Sequence, residues 1–453
     1  MLLPLLSEWD PAEGGEGSID PLGLYNIADV LATKLIPGVR ERQQHPRFLT
    51  AIAASLAVCN RNQFPEGSIA NDGISEPWMV FEWHVVEGLV RSITERERLR
   101  GLPGREKVAT AIFKERLRLS SKRYLKSPKV FGFHGVYRQL AKTLHIDENG
   151  MLGNNGFELL DVWRREQNLQ GFYETAQGEG ASWFRRLTDA VNEGLKNGMV
   201  SRTGSWEGWQ FIANHFCHDA IGDEEARVLN KLLLADREGY RNRVIEFLAS
   251  AKGQDIASKL YARLGNEKIW SERPFHQALI TRTEGDMKSL LDAIMAYEAF
   301  SRLLQDTFDD CLFALTPENG NSIVKRSIPA LVERPQIRHA AETVTDVYNE
   351  AVDKLAVLND VHVNKLIDNF RLVSERNTPE RWVQGLIDHH HRIQQNKPPD
   401  GKLAWIVHCD DDSYIISLDT YGRKVGGRWD DSYVHTYRMA SLQSFLRDLR
   451  LAS

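Results

Sequence analysis

The chain has 453 residues, 42% of them hydrophobic and 26% charged, with 57 Lys and Arg against 62 Asp and Glu for a formal net charge of −5. Ordinary apolar and charged fractions exclude a disordered or fibrous chain. The length exceeds the roughly 250 to 300 residues at which a single core stops growing, which predicts about three packed units.

Residues 1–20 hold Glu8, Asp10, Glu13, Glu16 and Asp20 with no Lys or Arg, and read as a flexible acidic arm. No basic stretch precedes the apolar opening MLLPLL, so a signal peptide is not expected. An N-terminal helical core is predicted over 21–90. Leu24, Ile27, Val30, Leu31 and Leu35 recur at helical spacing until Pro37-Gly38 stops them. Arg47 to Val58 is Ala-rich and apolar on nearly every side, as a buried helix is. After a loop, Pro77 opens a helix that carries Trp78, Phe81 and Trp83. The longest near-apolar run, Thr50 to Cys59, is half of what a bilayer requires, which predicts a cytoplasmic protein with no membrane partner. Cys59, Cys217, Cys311 and Cys409 lie far apart with no CxxC pair, consistent with buried free thiols in a reducing compartment.

From Arg91 to Lys142 the balance changes: fifteen basic residues face four acids, a local excess of +11 that leaves −16 for the rest of the chain. The densest part is KERLRLSSKRYLKSPK, and the candidate phosphate-contacting residues are Lys114, Arg116, Arg118, Lys122, Arg123, Lys126, Lys129, Arg138 and Lys142. On a helix, Lys114, Arg118 and Lys122 form an i, i+4, i+8 ridge, with Val108, Ile112 and Leu119 as one apolar stripe and Phe113, Leu117 and Tyr124 as another. Several cations on one rigid face are what a phosphate backbone needs. Tyr124, Phe131, Phe133, His134 and Tyr137 interleave with them and offer either base stacking or core packing.

The stretch FHGVYRQLAKTLHIDENGMLGNNGFELL predicts a helix from Gly135 to Leu144, a turn at Asn149-Gly150, a short extended piece at Met151-Leu152, an Asn-Asn-Gly turn and a helix from about Phe157. Helix, ribbon and helix give residues 91–170 the rhythm of a winged-helix-like basic module. Amphipathic helices are expected over 180–310 within a helical body at 171–335. One long helical pattern covers 340–374, at the start of a C-terminal part spanning 336–453. There a helix from Thr378 runs into His389, His390 and His391. KLAWIVHCDDDSYIISLDTYG then alternates as a β-hairpin, and MASLQSFLRDLRL closes a small α+β cap.

Four clusters invite a metal reading. Consecutive imidazoles at His389–His391 point about 100° apart on a helix and do not converge on one ion, although His408, Cys409 and His435 stand near in sequence. His215, Cys217, His218 and Asp219 lack a second cluster at ligand spacing; His84 and Glu87 read as a hydrogen-bonded core pair; Asp410–Asp412 read as a turn. No GxxxxGK[ST], GxGxxG or GxSxG is present, which disfavours an ATPase, a dinucleotide enzyme or an α/β-hydrolase. No metal or cofactor is expected, and no catalytic residue is nominated.

Two blocks, DPLGL…LIPGVRERQQHPRFL with SEPWMVFEWHVVEGLVR, and NKPPDGKLAWIV…YVHTYRMASLQSFLRDL, cover about a quarter of the chain. They resemble a group of bacterial proteins encoded among anti-phage defence genes, beside helicase and phospholipase-D-like partners. The resemblance implies a cytoplasmic, nucleic-acid-directed complex and carries no catalytic motif onto this sequence. Together these readings predict a mainly α, multi-domain defence component that binds nucleic acid, DNA first, and leaves catalysis to partner proteins. Two alternatives stand beside it: a metal-dependent nuclease or other hydrolase built on His389–His391 with the C-terminal hairpin, and a non-catalytic scaffold whose basic surface docks an acidic protein.

Overall fold

The computed structural model describes residues 20–173, 177–236, 239–264, 267–317, 323–398 and 400–451; the acidic arm expected over 1–20 lies outside them except for Asp20. The described residues are mainly helical, with three two-stranded antiparallel ribbons. None of their helices is long and apolar enough to cross a membrane.

The chain divides into two compact units, each assembled from separated stretches. One joins the residues up to Leu35 to Asp255–Tyr437; the other joins Ile36–Gln254 to the chain from Arg438 onward. These boundaries do not follow the contiguous segments read from the sequence, because no change of composition marks Leu35, Gln254 or Tyr437. The predicted C-terminal cap is divided as well: its hairpin belongs to the first unit and its last helix, Met439–Asp448, to the second.

In the unit containing Ile36–Gln254, the helix Arg47–Val58 is buried at all twelve positions. The helices Pro77–Ser92, Phe133–Thr143, Asn154–Glu166 and Gly208–Phe216 pack on it. Trp83, Phe81, Trp163 and Phe216 fill this core, with the Trp163 and Phe216 rings stacked 5.3 Å apart. Each such side chain contributes about 1.5–3 kcal/mol on burial. The one cation on the central helix, Arg47, lies 2.9 Å from the equally buried Glu225, which also accepts from the Thr50 hydroxyl.

The Phe133–Thr143 helix leads into a ribbon pairing Asp147↔Leu152 and Glu148↔Met151. Asn149 and Gly150 both adopt positive φ, 57° and 80°, the geometry of a tight two-residue hairpin turn. The helix after the ribbon begins at Asn154, three residues before the predicted start. Asn154, Asn155 and Gly156 form its first turn and no second loop, because Asn155 Nδ2 donates to the Leu144 carbonyl and holds the turn down.

In the other unit, the thirty-residue helix Gly285–Ala314 lies against Pro335–Ala356 and contacts Tyr25–Leu35 and Pro379–Gln395. The single helix expected over 340–374 is broken. Asn359 turns into the left-handed region at φ 51°, and the Asp360 carboxylate accepts from the N–H groups of His362 and Val363 to start a new helix, Val361–Asp368. The all-helical expectation for 180–310 also fails locally, since Tyr261–Leu264 and Glu267–Trp270 pair as an antiparallel ribbon. The C-terminal hairpin is present, Ile406–His408 against Tyr414–Ile416, with Asp410–Asp412 in its turn.

Candidate nucleic-acid interface

The helical ridge predicted for Lys114, Arg118 and Lys122 does not form. The helix Arg105–Ala109 runs into a widened turn over Thr110–Lys114, in which the Glu115 N–H reaches back five residues to the Thr110 carbonyl. The Leu117 N–H closes on the Ala111 carbonyl while Arg116 adopts φ 55°, and the chain leaves the helix. Val108, Ile112 and Leu119 are buried as expected, whereas Phe113 stands 58% exposed and Leu117 38% exposed; of that second stripe only Tyr124 is buried. Phe133 and Tyr137 are core residues as well.

The non-helical 115–127 segment is tied through Tyr124 to a buried carboxylate. Glu82, on the Pro77–Ser92 helix, accepts from the Tyr124 hydroxyl at 2.8 Å and from the His134 N–H at 2.9 Å. A Cβ on Gly132 would lie 1.9 Å from Glu82 Oε1, so only glycine allows this approach. Burial pushes the Glu82 carboxyl up to about 7, against the pull of the bonds from His134, Tyr124 and Phe133. Sequence reading missed Glu82, although an acid within the otherwise apolar and aromatic run PWMVFEW was a visible signal.

Four of the nine nominated cations, Lys126, Lys129, Arg138 and Lys142, line one cleft of about 1070 Å³. The loop after Val58 and the start of the Pro77 helix line it too, including Phe64, Ile69, Ile74 and Trp78. Glu76 bridges two lining side chains, accepting from Trp78 Nε1 at 3.0 Å and pairing with Lys129 at 2.6 Å. Partial burial raises the Glu76 carboxyl, but Lys129 and Trp78 outweigh it and hold the group below the usual carboxylate range. The Trp78 and His134 rings lie 5.0 Å apart. Burial lowers the His134 imidazole to about 3, leaving the ring neutral.

The remaining five, Lys114, Arg116, Arg118, Lys122 and Arg123, do not line the cleft. Arg118 donates to the Arg202 carbonyl. Among the described residues no carboxylate pairs with Lys114, Arg116, Arg118, Lys122, Arg123, Lys126, Arg138 or Lys142, so eight of the nine nominated cations lack a carboxylate at contact distance.

The histidine run is a structural device. His389 Nε2 bonds the Leu22 carbonyl at 2.9 Å and His391 Nε2 bonds the Ile406 carbonyl at 2.6 Å. His390 donates from Nδ1 to the Pro21 carbonyl and accepts at Nε2 from the Trp405 N–H, which leaves neither ring nitrogen for a metal. His435 binds Glu298 and His408 faces Asp412. His215 binds Gln167, and Asp219 pairs with Arg98. His84 and Glu87 do not bond one another as expected: His84 Nδ1 donates to the Val80 carbonyl, and Glu87 accepts from Arg91. Among the described residues no three His, Cys, Asp or Glu side chains form a group able to hold a metal ion. All four cysteines are free, but only Cys217 and Cys311 are buried. No family model matches the chain, and no curated protein or solved structure is significantly similar to it.

Proposed function

We propose that the chain is the nucleic-acid-binding component of a bacterial antiviral defence system, working in the cytoplasm beside proteins that supply catalysis. The observation that carries this reading is the uncompensated charge: in a chain of net −5, one stretch of +11 keeps most of its nominated cations free of carboxylate partners. A folded surface gains nothing from such self-repulsion, whereas a phosphate backbone releases counterions on meeting it. The helix, ribbon and helix order of 133–166 supports the reading of a winged-helix-like module, and Asn149 and Gly150 at the ribbon turn line the same cleft as Arg138 and Lys142. The resemblance of the terminal blocks to defence-gene proteins supplies the biological setting.

A salt titration of binding to labelled DNA and RNA tests the reading. Wild type binds with a steep negative salt slope, and Lys126→Glu/Arg138→Glu/Lys142→Glu loses about 100-fold or more in affinity. A folded wild type that binds no nucleic acid at low salt, yet binds an acidic co-encoded protein through these residues, would establish the scaffold reading instead.

A further inference from the structure

Two chemically different stretches line the cleft, and the difference bears on strandedness. Residues 126–142 supply Lys126, Arg138 and Lys142, while residues 64–78 supply Phe64, Ile69, Ile74 and Trp78. Ile69 is 53% and Ile74 62% exposed, so an apolar surface at the cleft stands open to water. Of the three carboxylates in the lining, Glu76 and Glu66 lie beside cations, while Asp147 keeps its charge and accepts a backbone N–H. Glu76 holds Lys129 and Trp78, Asp147 accepts the Gly150 N–H at 2.7 Å, and Glu66 lies 3.7 Å from Arg61. What remains for a ligand is a set of cations and a set of apolar and aromatic side chains lining the same cleft.

We propose that this cleft takes a single strand of nucleic acid, with phosphates on Lys126, Arg138 and Lys142 and base faces on Ile69, Ile74 and Trp78. The proposal rests on the nucleic-acid reading above and deepens it. A duplex turns its base faces inward and offers a protein only phosphates and groove edges, so it leaves the apolar side chains without a partner. A single strand exposes base faces along its length, and stacking on aromatic and apolar side chains adds to phosphate contacts without sequence preference. Glu76 gives the arrangement rigidity, since one carboxylate orients the Trp78 indole and anchors Lys129.

The test measures binding of a short labelled oligothymidylate and of a duplex of equal length by fluorescence anisotropy, at about 50 mM and 200 mM salt. Wild type should prefer the single strand by about tenfold or more. Ile69→Ser/Ile74→Ser alters only exposed loop side chains and should keep the melting temperature; it should weaken single-strand binding about tenfold and leave duplex binding unchanged. Trp78→Leu should do the same and Trp78→Phe should restore most of the loss. Equal affinity for strand and duplex, with both unaffected by the loop variant, overturns the single-strand inference while the nucleic-acid reading stands. Absence of binding to either at low salt overturns both. Displacement of the strand by polyglutamate of equal charge, equally from wild type and loop variant, overturns the inference in favour of an acidic protein partner.

Discussion

Two regions of the molecule, one in each unit, handle charge in opposite ways. Along the helix Gly285–Ala314, Glu298, Arg302, Asp306 and Asp310 recur every four residues, and all four are buried. Together they hold a non-helical strap, residues 423–437. Glu298 accepts from the N–H groups of Val434 and His435, the His435 ring and the Tyr437 hydroxyl. Arg302 donates to the Ser432 and Tyr433 carbonyls, Asp306 accepts the Trp429 N–H, and Asp310 accepts the Gly427 N–H and the Trp429 indole. Every charge there has a partner because burial leaves no alternative. In the 114–142 stretch of the other unit, most of the cations lack such partners among the described residues. Buried, satisfied charge holds the strap in one unit, whereas most cations of the 114–142 stretch in the other stand without a carboxylate partner among the described residues.

The largest effects should come from the satisfied network. Glu298→Ala strips an acceptor from four donors and is expected to cost about 3–5 kcal/mol in chemical denaturation. A loss below about 1 kcal/mol would mean that the strap is held by its apolar contacts. Burial raises the Glu298 carboxyl, but the His435 imidazole and the bonds from His435 and Tyr437 outweigh it and leave it below the ordinary value. Its contribution is therefore present above pH 4.5 and lost as pH falls through the lowered folded value. Glu82 titrates in the opposite sense. Its carboxyl, raised from 4.5 to about 7 chiefly by burial, favours folding below pH 4.5, and that advantage disappears as pH rises through about 7. The change amounts to about 3 kcal/mol. Glu82→Gln should flatten this part of the stability profile, measured by denaturation between pH 4.5 and 8; an unchanged slope would place the titrating group elsewhere.

Much of the fold was legible in the sequence. The buried helix Arg47–Val58 begins and ends as its composition predicts, Pro77 opens its helix, and the C-terminal ribbon turns at Asp410–Asp412. These features are local, written in Ala content, a proline and an acidic turn. The errors share a different cause. The spacing of Ile112 and Leu119 suits a helix, yet the chain leaves it at Arg116, because the segment is pinned through Tyr124 to Glu82, far away in sequence. Asn359 breaks a continuous helical pattern with a single left-handed residue. The four-residue spacing of Glu298, Arg302, Asp306 and Asp310 was visible, but a charged stripe on an amphipathic helix reads as a solvated face unless the strap that covers it is known. Of the candidate site, sequence supplied the cations; it could not show that Lys126, Lys129, Arg138 and Lys142 share a cleft with Trp78.

Smaller effects should come from the uncompensated surface, and they sharpen the contrast by separating binding from stability. The Lys126→Glu/Arg138→Glu/Lys142→Glu variant should retain stability within about 0.5 kcal/mol per site while losing nucleic-acid affinity. Unfolding of this variant would show that the cations are structural after all. The finest distinction lies within the cleft, between a paired cation and an unpaired one. Lys142 has no carboxylate partner among the described residues, whereas Lys129 sits 2.6 Å from Glu76. Both replacements remove one positive charge, so their long-range effect on association should be alike. Counterion release is local, and a cation already neutralised by a carboxylate gathers fewer counterions to release. Lys142→Met should therefore reduce the magnitude of the salt slope by about one, and Lys129→Met by clearly less. Equal reductions would mean that the Glu76 pair opens on binding and frees Lys129 for phosphate. In that case Glu76→Gln, which releases Lys129 beforehand, should tighten binding and steepen the slope.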